Sequence, residues 1–296
     1  MRFASVDIGS NAIRLLFCDV YPYKNDFVIK KSSLMRLPIR LGEDVFVTKL
    51  VSEKNINKLL KSMQAFKNLV EVYDVVDYRV CATSAMREAE NGEEIIKNIK
   101  KRTQIEIEII EGETEAELIY ETHIAEKIDK NGTFLYVDVG GGSTELTLFS
   151  KGEKIVSRSF QIGTIRLKNN IVDKSMWDEL NKWINKIRKK HQPSLIIATG
   201  GNINKLYKLC GLKDYKLLEY SDLKQMFKFL DKYTVEERIK KLGLKPDRAD
   251  VITHACEIYL TTMKTCQVKD MFVPKVGLAD GIIQQLYANH IAKKSL

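Results

Sequence analysis

Two ten-residue segments, VDIGSNAIRL from Val6 and VDVGGGSTEL from Val137, align without a gap and lie 131 residues apart. Each is an apolar strand that ends in aspartate, passes through small residues and leaves as a second strand. The first copy runs Phe3–Ile8 into Ile13–Val20, and the second runs Phe134–Val139 into Glu145–Phe149. One repeat at this distance is not a solenoid period. It predicts two similar α/β domains, each opening with a strand–turn–strand. The boundaries expected are 1–124, completed by a C-terminal helix over 280–296, and 125–279.

The intervening patterns fill in the two halves. After the first hairpin we expect a short strand at Phe27–Met35 and a helix at Ser52–Tyr73. Strand Tyr78–Ala82, helix Ser84–Lys101, strand Ile105–Ile110 and helix Glu115–Ile128 follow. The second half adds strand Lys154–Ser159, helix Trp177–Lys190 and strand Leu195–Ala198, and then reads as helical to its end. The last helix carries Leu278, Ile282, Ile283, Leu286, Tyr287 and Ile291 on one stripe and is expected to pack on the first domain.

At 296 residues, 44% hydrophobic and 29% charged, the chain has the profile of a soluble two-domain protein. No apolar run approaches a membrane span and Asp7 interrupts the early apolar stretch, so a cytoplasmic protein with no membrane partner is expected. The five cysteines are widely spaced with no C-x-x-C pair, which points to buried thiols rather than zinc or disulfides. The net charge of +9 is uneven: residues 1–150 hold 20 basic against 24 acidic side chains, and residues 151–296 hold 28 against 15. Such an excess is either a set of solvated helix faces or a field for a polyanion, and charge alone does not choose between nucleic acid and a phosphate polymer.

The turns are the strongest chemical signal. Backbone amides crowded in a glycine turn form a concavity for phosphate oxygens, and an aspartate at the strand's end can hold a hydrated Mg²⁺. The candidates are Asp7 with Gly9, Ser10 and Asn11, and Asp138 with Gly140, Gly141, Gly142, Ser143, Thr144 and Glu145. No G-K-[ST] follows the glycines, so neither is a Walker A loop. A third site, TGGN, places Gly200 and Gly201 before a helix that Asn202 would cap, where backbone amides favour an anion. Arg87 is expected in the first turn of its helix, against the dipole, where a bound anion would offset the penalty. Around Glu115, Thr114 and Glu117 have the spacing of a capping box, which leaves Glu115 without a structural duty. H-E-x-x-H and G-x-S-x-G are both absent, and His123, His191, His254 and His290 are scattered.

Taken together, VDIGSNAIRLL, ATSAMREAEN, IIEGETEAELIY, VDVGGGSTEL, TGGNINKL, PDRADVI and VGLADGII resemble the exopolyphosphatase/guanosine pentaphosphate phosphatase family, over nearly the whole chain. That family shares a superfamily with actin, the seventy-kilodalton heat-shock ATPases and the sugar kinases. The resemblance implies two ribonuclease-H-like domains with a cleft between them, in the short two-domain form. It also implies hydrolysis of a terminal phosphoanhydride with Mg²⁺ or Mn²⁺. By the same resemblance, Glu115 activates the attacking water, Arg87 faces the cleft, and Asp138 and Glu145 hold the metal, with Asp7 as the matching carboxylate of the first hairpin. The substrate expected is polyphosphate or a guanosine polyphosphate, with no nucleic acid partner and a homodimer possible. Ala12, Thr114, Asn202 and Ala279 depart from the residues usual in that family. Ala12 and Ala279 keep open a non-catalytic binder of these anions, which Asp138, Glu145 and Glu115 argue against; a kinase of the same superfamily is a third reading, disfavoured by the GGGSTEL hairpin with Glu115 upstream of it.

Overall fold

The computed structural model describes residues 1–24, 26–122, 129, 131–213 and 215–294. Contacts divide the chain into two compact units, Met1–Thr122 with Gly277–Leu296, and His123–Val276. Among the described residues no helix is long and apolar enough to cross a membrane.

In the first unit, β1 (Arg2–Ile8), β2 (Ile13–Tyr23) and β3 (Asp26–Leu37) form an antiparallel meander. Helices α1 (Leu41–Thr48) and α2 (Glu53–Val72) precede β4 (Asp77–Ala82), which joins β1 in parallel. Then come α3 (Ser84–Glu88), α4 (Gly92–Thr103), β5 (Glu108–Ile109) and α5 (Gly112–Tyr120). The strand order is β3-β2-β1-β4-β5. Alternate residues of β2 serve opposite faces of the sheet. Phe17 stacks on Tyr73 at 4.8 Å and meets Phe66 of α2 at 6.0 Å. Leu59, Met63 and Phe66 recur at helical spacing on the buried side of α2, each contributing roughly 1.5–3 kcal/mol by burial. On the other face, Leu16, Cys18 and Val20 share a core with Ile282, Ile283 and Leu286 of the C-terminal helix, Leu278–Lys294. Gly281 lets that helix lie against α5, because a Cβ there would stand 1.8 Å from the Leu118 carbonyl oxygen.

The second unit repeats this plan. β6 (Thr133–Val139), β7 (Thr144–Ser150) and β8 (Glu153–Phe160) form the meander, followed by α6 (Thr164–Lys168) and α7 (Lys174–His191). β9 (Leu195–Thr199) joins β6 in parallel and runs into α8 (Gly201–Leu209). β10 (Leu218–Glu219), α9 (Tyr220–Asp231), α10 (Val235–Lys240), α11 (Pro246–Ala249), α12 (Ile252–Cys266) and β11 (Asp270–Phe272) complete the order β10-β11-β9-β6-β7-β8. α13 is then the helix Leu278–Lys294 of the first unit. The chain is α/β, with two mixed sheets built on the same hairpin-led core.

Several expectations need correction. The strand at Phe27–Met35 is the full β3 of 12 residues. The helix expected over Ser84–Lys101 is broken at Ala89–Asn91. There the Asn91 side chain pairs with both backbone groups of Val51, and Gly92 lies where a Cβ would be 2.6 Å from the Met86 carbonyl oxygen. Ile105–Ile110 keeps just two residues in the sheet, opposite Cys81 and Ala82. The stretch after β9 is not wholly helical, since β10 and β11 are too short for a period to show. Ile291, expected on the buried stripe of the last helix, is 39% exposed. Residues 123–128, the end of the expected helix Glu115–Ile128, and His123 with them, lie outside the described residues.

Candidate functional site

In the second unit the β6–β7 register places Asp138 directly opposite Glu145. Residues paired this way share a face of the sheet, with Cβ atoms about 4.5–5.5 Å apart. Glu145 is buried, and its Oε1 accepts hydrogen bonds from Ser143 Oγ at 2.5 Å and Ser159 Oγ at 3.0 Å. The turn between the two carboxylates closes on itself through Gly140 N donating to the Ser143 carbonyl at 2.9 Å. The amides of Gly141, Gly142 and Ser143 have no acceptor among the described residues. They therefore form the kind of concavity that holds an anion.

The start of α6 fixes that turn from behind. Thr164 N donates to the Gly140 carbonyl at 3.1 Å, Ile165 N to Gly141 at 2.8 Å, and the buried Arg166 Nε to Gly142 at 2.7 Å. Gly163 makes the approach possible, since a Cβ on it would be 2.4 Å from the Gly141 carbonyl oxygen. On the other side, β9 brings Thr199 level with Asp138. Gly200 follows at φ 117, where a Cβ would be 3.1 Å from Asp138 Oδ1. Tyr259 of α12 anchors this corner by donating to the Thr199 carbonyl at 2.6 Å, and its burial, helped by Asp138, raises its pKa well above the usual value.

The first unit holds the same turn with different chemistry. Gly9 N donates to the Ala12 carbonyl at 3.2 Å, as Gly140 does to Ser143, and Gly42 N of α1 donates to the Ser10 carbonyl at 2.8 Å. Opposite Asp7, however, stands Arg14, and the two form an ion pair at 2.5 Å with Asp7 nearly buried. Asp7, expected among the metal ligands, thus has a cation from its own hairpin. At the matching positions of the second hairpin two carboxylates face each other. Two hard oxygen donors on one face suit Mg²⁺ or Mn²⁺, and the space beside Asp138 that a Cβ at Gly200 would fill is kept open. Among the described residues no three His, Cys, Asp or Glu side chains are grouped to hold a metal. An ion here would complete its shell with water and substrate, as Mg²⁺ commonly does.

Glu115 lies in the first turn of α5, with its N–H donating to the Glu111 carbonyl at 3.0 Å. The capping box expected at Thr114 is not formed, because the helix starts at Gly112 with Glu111 as its N-cap. Arg87 is the fourth residue of the five-residue α3, in its first turn as expected and, because the helix is so short, in its last turn too. Its Nη1 donates to the Ile110 carbonyl at 2.6 Å and its Nε lies 3.6 Å from Glu111, so the link runs to the segment entering α5. Burial pushes the Cys81 thiol up to about 12, with Glu108, Asp7 and Glu115 adding to the effect and Arg79 opposing it. Asn202 does not cap α8. Gly200 does, and Asn202 is buried one position inside the helix. Ala279 is buried in the core of the first unit, its carbonyl accepting from Ser5 Oγ at 2.9 Å.

Sequence reasoning passed over Gly163, Arg166, Ser159 and Gly42. The signal for them was a glycine at the start of a helix after the third strand of each meander. A gapless repeat does not show it, because β3 has 12 residues and β8 has 8.

Comparison with known proteins agrees with this architecture. Exopolyphosphatase 1 of Mycobacterium tuberculosis is 23% identical over 303 residues, covering 96% of this chain and 87% of that protein. The guanosine-5'-triphosphate,3'-diphosphate pyrophosphatase of Aliivibrio fischeri is 22% identical over 311 residues, covering 99% of this chain and 62% of that protein. A crystal structure of the Aquifex aeolicus Ppx/GppA family member superposes with a TM-score of 0.79 at 25% identity over 98% of both chains. The model of the Ppx/GppA phosphatase family matches residues 33–290, and the chain belongs to that family.

Proposed function

We propose that the protein hydrolyses the terminal phosphoanhydride of inorganic polyphosphate or of guanosine pentaphosphate. The observation that carries this reading is the pair Asp138 and Glu145, opposed across one register position at a glycine turn with three unpaired amides. Asp138 and Glu145 would hold Mg²⁺ or Mn²⁺, which when bound neutralises charge on the phosphate oxygens. The amides of Gly141, Gly142 and Ser143 receive the non-bridging oxygens of the terminal phosphate, and Ser143 and Ser159 fix Glu145 in place. Gly200 leaves room beside Asp138, and Gly201 opens the helix that follows. In the first unit, Gly9, Ser10 and Asn11 form the supporting turn, and Glu115 is assigned to orienting the water, with Arg87 holding the entry to its helix. Phosphoryl transfer depends mainly on positioning and charge neutralisation, so the turn amides and Arg87, with the cation that the carboxylate pair would hold, would supply most of the acceleration.

The excess of cations after residue 150 favours polyphosphate over the guanosine substrate, because a polymer of like charges gains from a field that a small nucleotide needs less. The test is phosphate release, with Mg²⁺, from each substrate beside a binding measurement on each. Release from polyphosphate is expected. Binding of both without release would mean a sensor, and release from neither would direct attention to phosphate transfer from ATP.

A further inference from the structure

Five cations of the basic half of the chain come together at one place in the second unit. An open groove of about 910 Å³ on α7 and β8 is lined by Arg158, Lys182, Lys186, Arg188 and Lys189, with Glu179 as its one carboxylate. Two of these cations are committed. Arg158 pairs with Glu179 and lies over the Phe160 ring at 4.9 Å, and Arg188 Nη1 donates to Gln267 at 2.5 Å. Lys182, Lys186 and Lys189 are exposed and have no ion-pair or hydrogen-bond partner among the described residues. They recur at helical spacing along one face of α7, spanning about 10 Å at 1.5 Å per residue. Lys189 sits in the last turn, where the helix dipole favours a cation. Lys182 and Lys186 are earlier, four residues apart, where like charges oppose the helix. Asp178 and Glu179 lie four and three residues before Lys182, but no described acidic side chain forms an ion pair with any of the three lysines.

Sheet geometry separates this groove from the carboxylate pair. Asp138, Glu145 and Ser159 are in register and share one face. Val137, Leu146 and Arg158 occupy the next register position and therefore the other face. That second face is the one α7 covers, since Val137, Leu146 and Phe160 share a core with Leu180 and Ile184. A phosphate at the Gly140–Thr144 turn and an anion on Lys182, Lys186 and Lys189 thus lie on opposite sides of the same sheet.

We propose that this groove is a docking site for inorganic polyphosphate, distinct from the turn at Asp138. The ligand class rests on the hydrolase reading above, but the site rests on the groove itself. Two features favour a phosphate polymer over nucleic acid. The free cations are all lysines, point charges on flexible stems that suit a chain without fixed geometry. The aromatic side chain in the lining, Trp183, packs edge-to-face against Phe160 at 5.7 Å instead of standing out as a platform for a base. A long chain held here stays tethered while its end is processed elsewhere, and a short one gains nothing.

The test is titration calorimetry of the full chain with long-chain polyphosphate and with pyrophosphate, comparing wild type with the combined Lys182→Gln, Lys186→Gln and Lys189→Gln variant. Thermal melting checks that the variant is folded. Losing three phosphate contacts should weaken long-chain binding about 10-fold or more and reduce the slope of log affinity against log salt by about 2. Pyrophosphate binding should not change. Unaltered long-chain affinity in the folded variant would overturn the proposal, as would tighter binding of single-stranded RNA than of polyphosphate by the wild type. Phosphate release is read separately: its absence in wild type would count against the hydrolase reading and leave the groove standing.

Discussion

Replacing Gly163 with alanine probes how the turn Gly140–Thr144, proposed to bind phosphate, is held. The backbone at Gly163, φ −134 and ψ 162, is extended and open to any residue, so the substitution acts through space alone. The added methyl would stand 2.4 Å from the Gly141 carbonyl oxygen, 2.4 Å from the Gly142 carbonyl carbon and 2.5 Å from that of Gly141. All three are backbone atoms and cannot rotate away. Reaching ordinary contact requires a shift of roughly 1 Å between α6 and the turn. That shift would strain the bonds from Ile165 N to Gly141 and from Arg166 Nε to Gly142. Overpacking of this kind costs about 1–3 kcal/mol. At roughly 2–4 °C per kcal/mol, melting of the second unit should fall by about 2–12 °C. Displacing the amides by 1 Å should lower turnover about 10²-fold. The assay is phosphate release and thermal melting beside Gly277→Ala, where an added methyl meets nothing within 4 Å. Wild-type melting and turnover in Gly163→Ala would refute the argument that this close approach shapes the turn.

Three further outcomes are expected. Glu115→Gln should lose about 10²–10⁴-fold in turnover with KM little changed, since general-base assistance contributes that much; steady-state kinetics checks it. Arg14→Gln would leave the nearly buried Asp7 carboxylate without its cation, costing about 1–3 kcal/mol in denaturant unfolding after allowance for the solvent that reaches Arg14. His254 has its pKa lowered by burial first and by Arg238 next, so the unfolded chain takes up its proton before the folded one does. Its contribution to stability is therefore complete above about pH 6.5 and declines as pH falls below that value, and His254→Gln should flatten this part of the stability profile.

The duplicated hairpin was legible because its chemistry and its geometry sit in consecutive residues. Val6–Leu15 and Val137–Leu146 each carry a strand, a turn and a strand in ten letters, and the structure forms them with equivalent turn bonds. The difference between the copies was also written there, as Arg14 against Glu145, but its meaning depends on register, which pairs those residues with Asp7 and Asp138. Tertiary contacts hid the rest. Asn91 bonding to Val51 splits a segment that reads as one helix, and Leu218–Glu219 and Asp270–Phe272 become strands because a sheet edge is there to receive them. The α6 brace on the turn is 20 residues from Ser143 in sequence, and nothing periodic joins Gly163 to Gly141.

The central claim is that the second hairpin, with its opposed carboxylates, takes the metal and phosphate, while the first neutralises its aspartate internally. The most direct measurement is the Mg²⁺ dependence of phosphate release from polyphosphate in Asp138→Asn and Asp7→Asn, each checked for folding. The account predicts that Asp138→Asn abolishes release or moves its Mg²⁺ midpoint to much higher concentration, while Asp7→Asn is less stable but keeps the wild-type midpoint. Equal shifts in both variants, or a shift in Asp7→Asn alone, would contradict it.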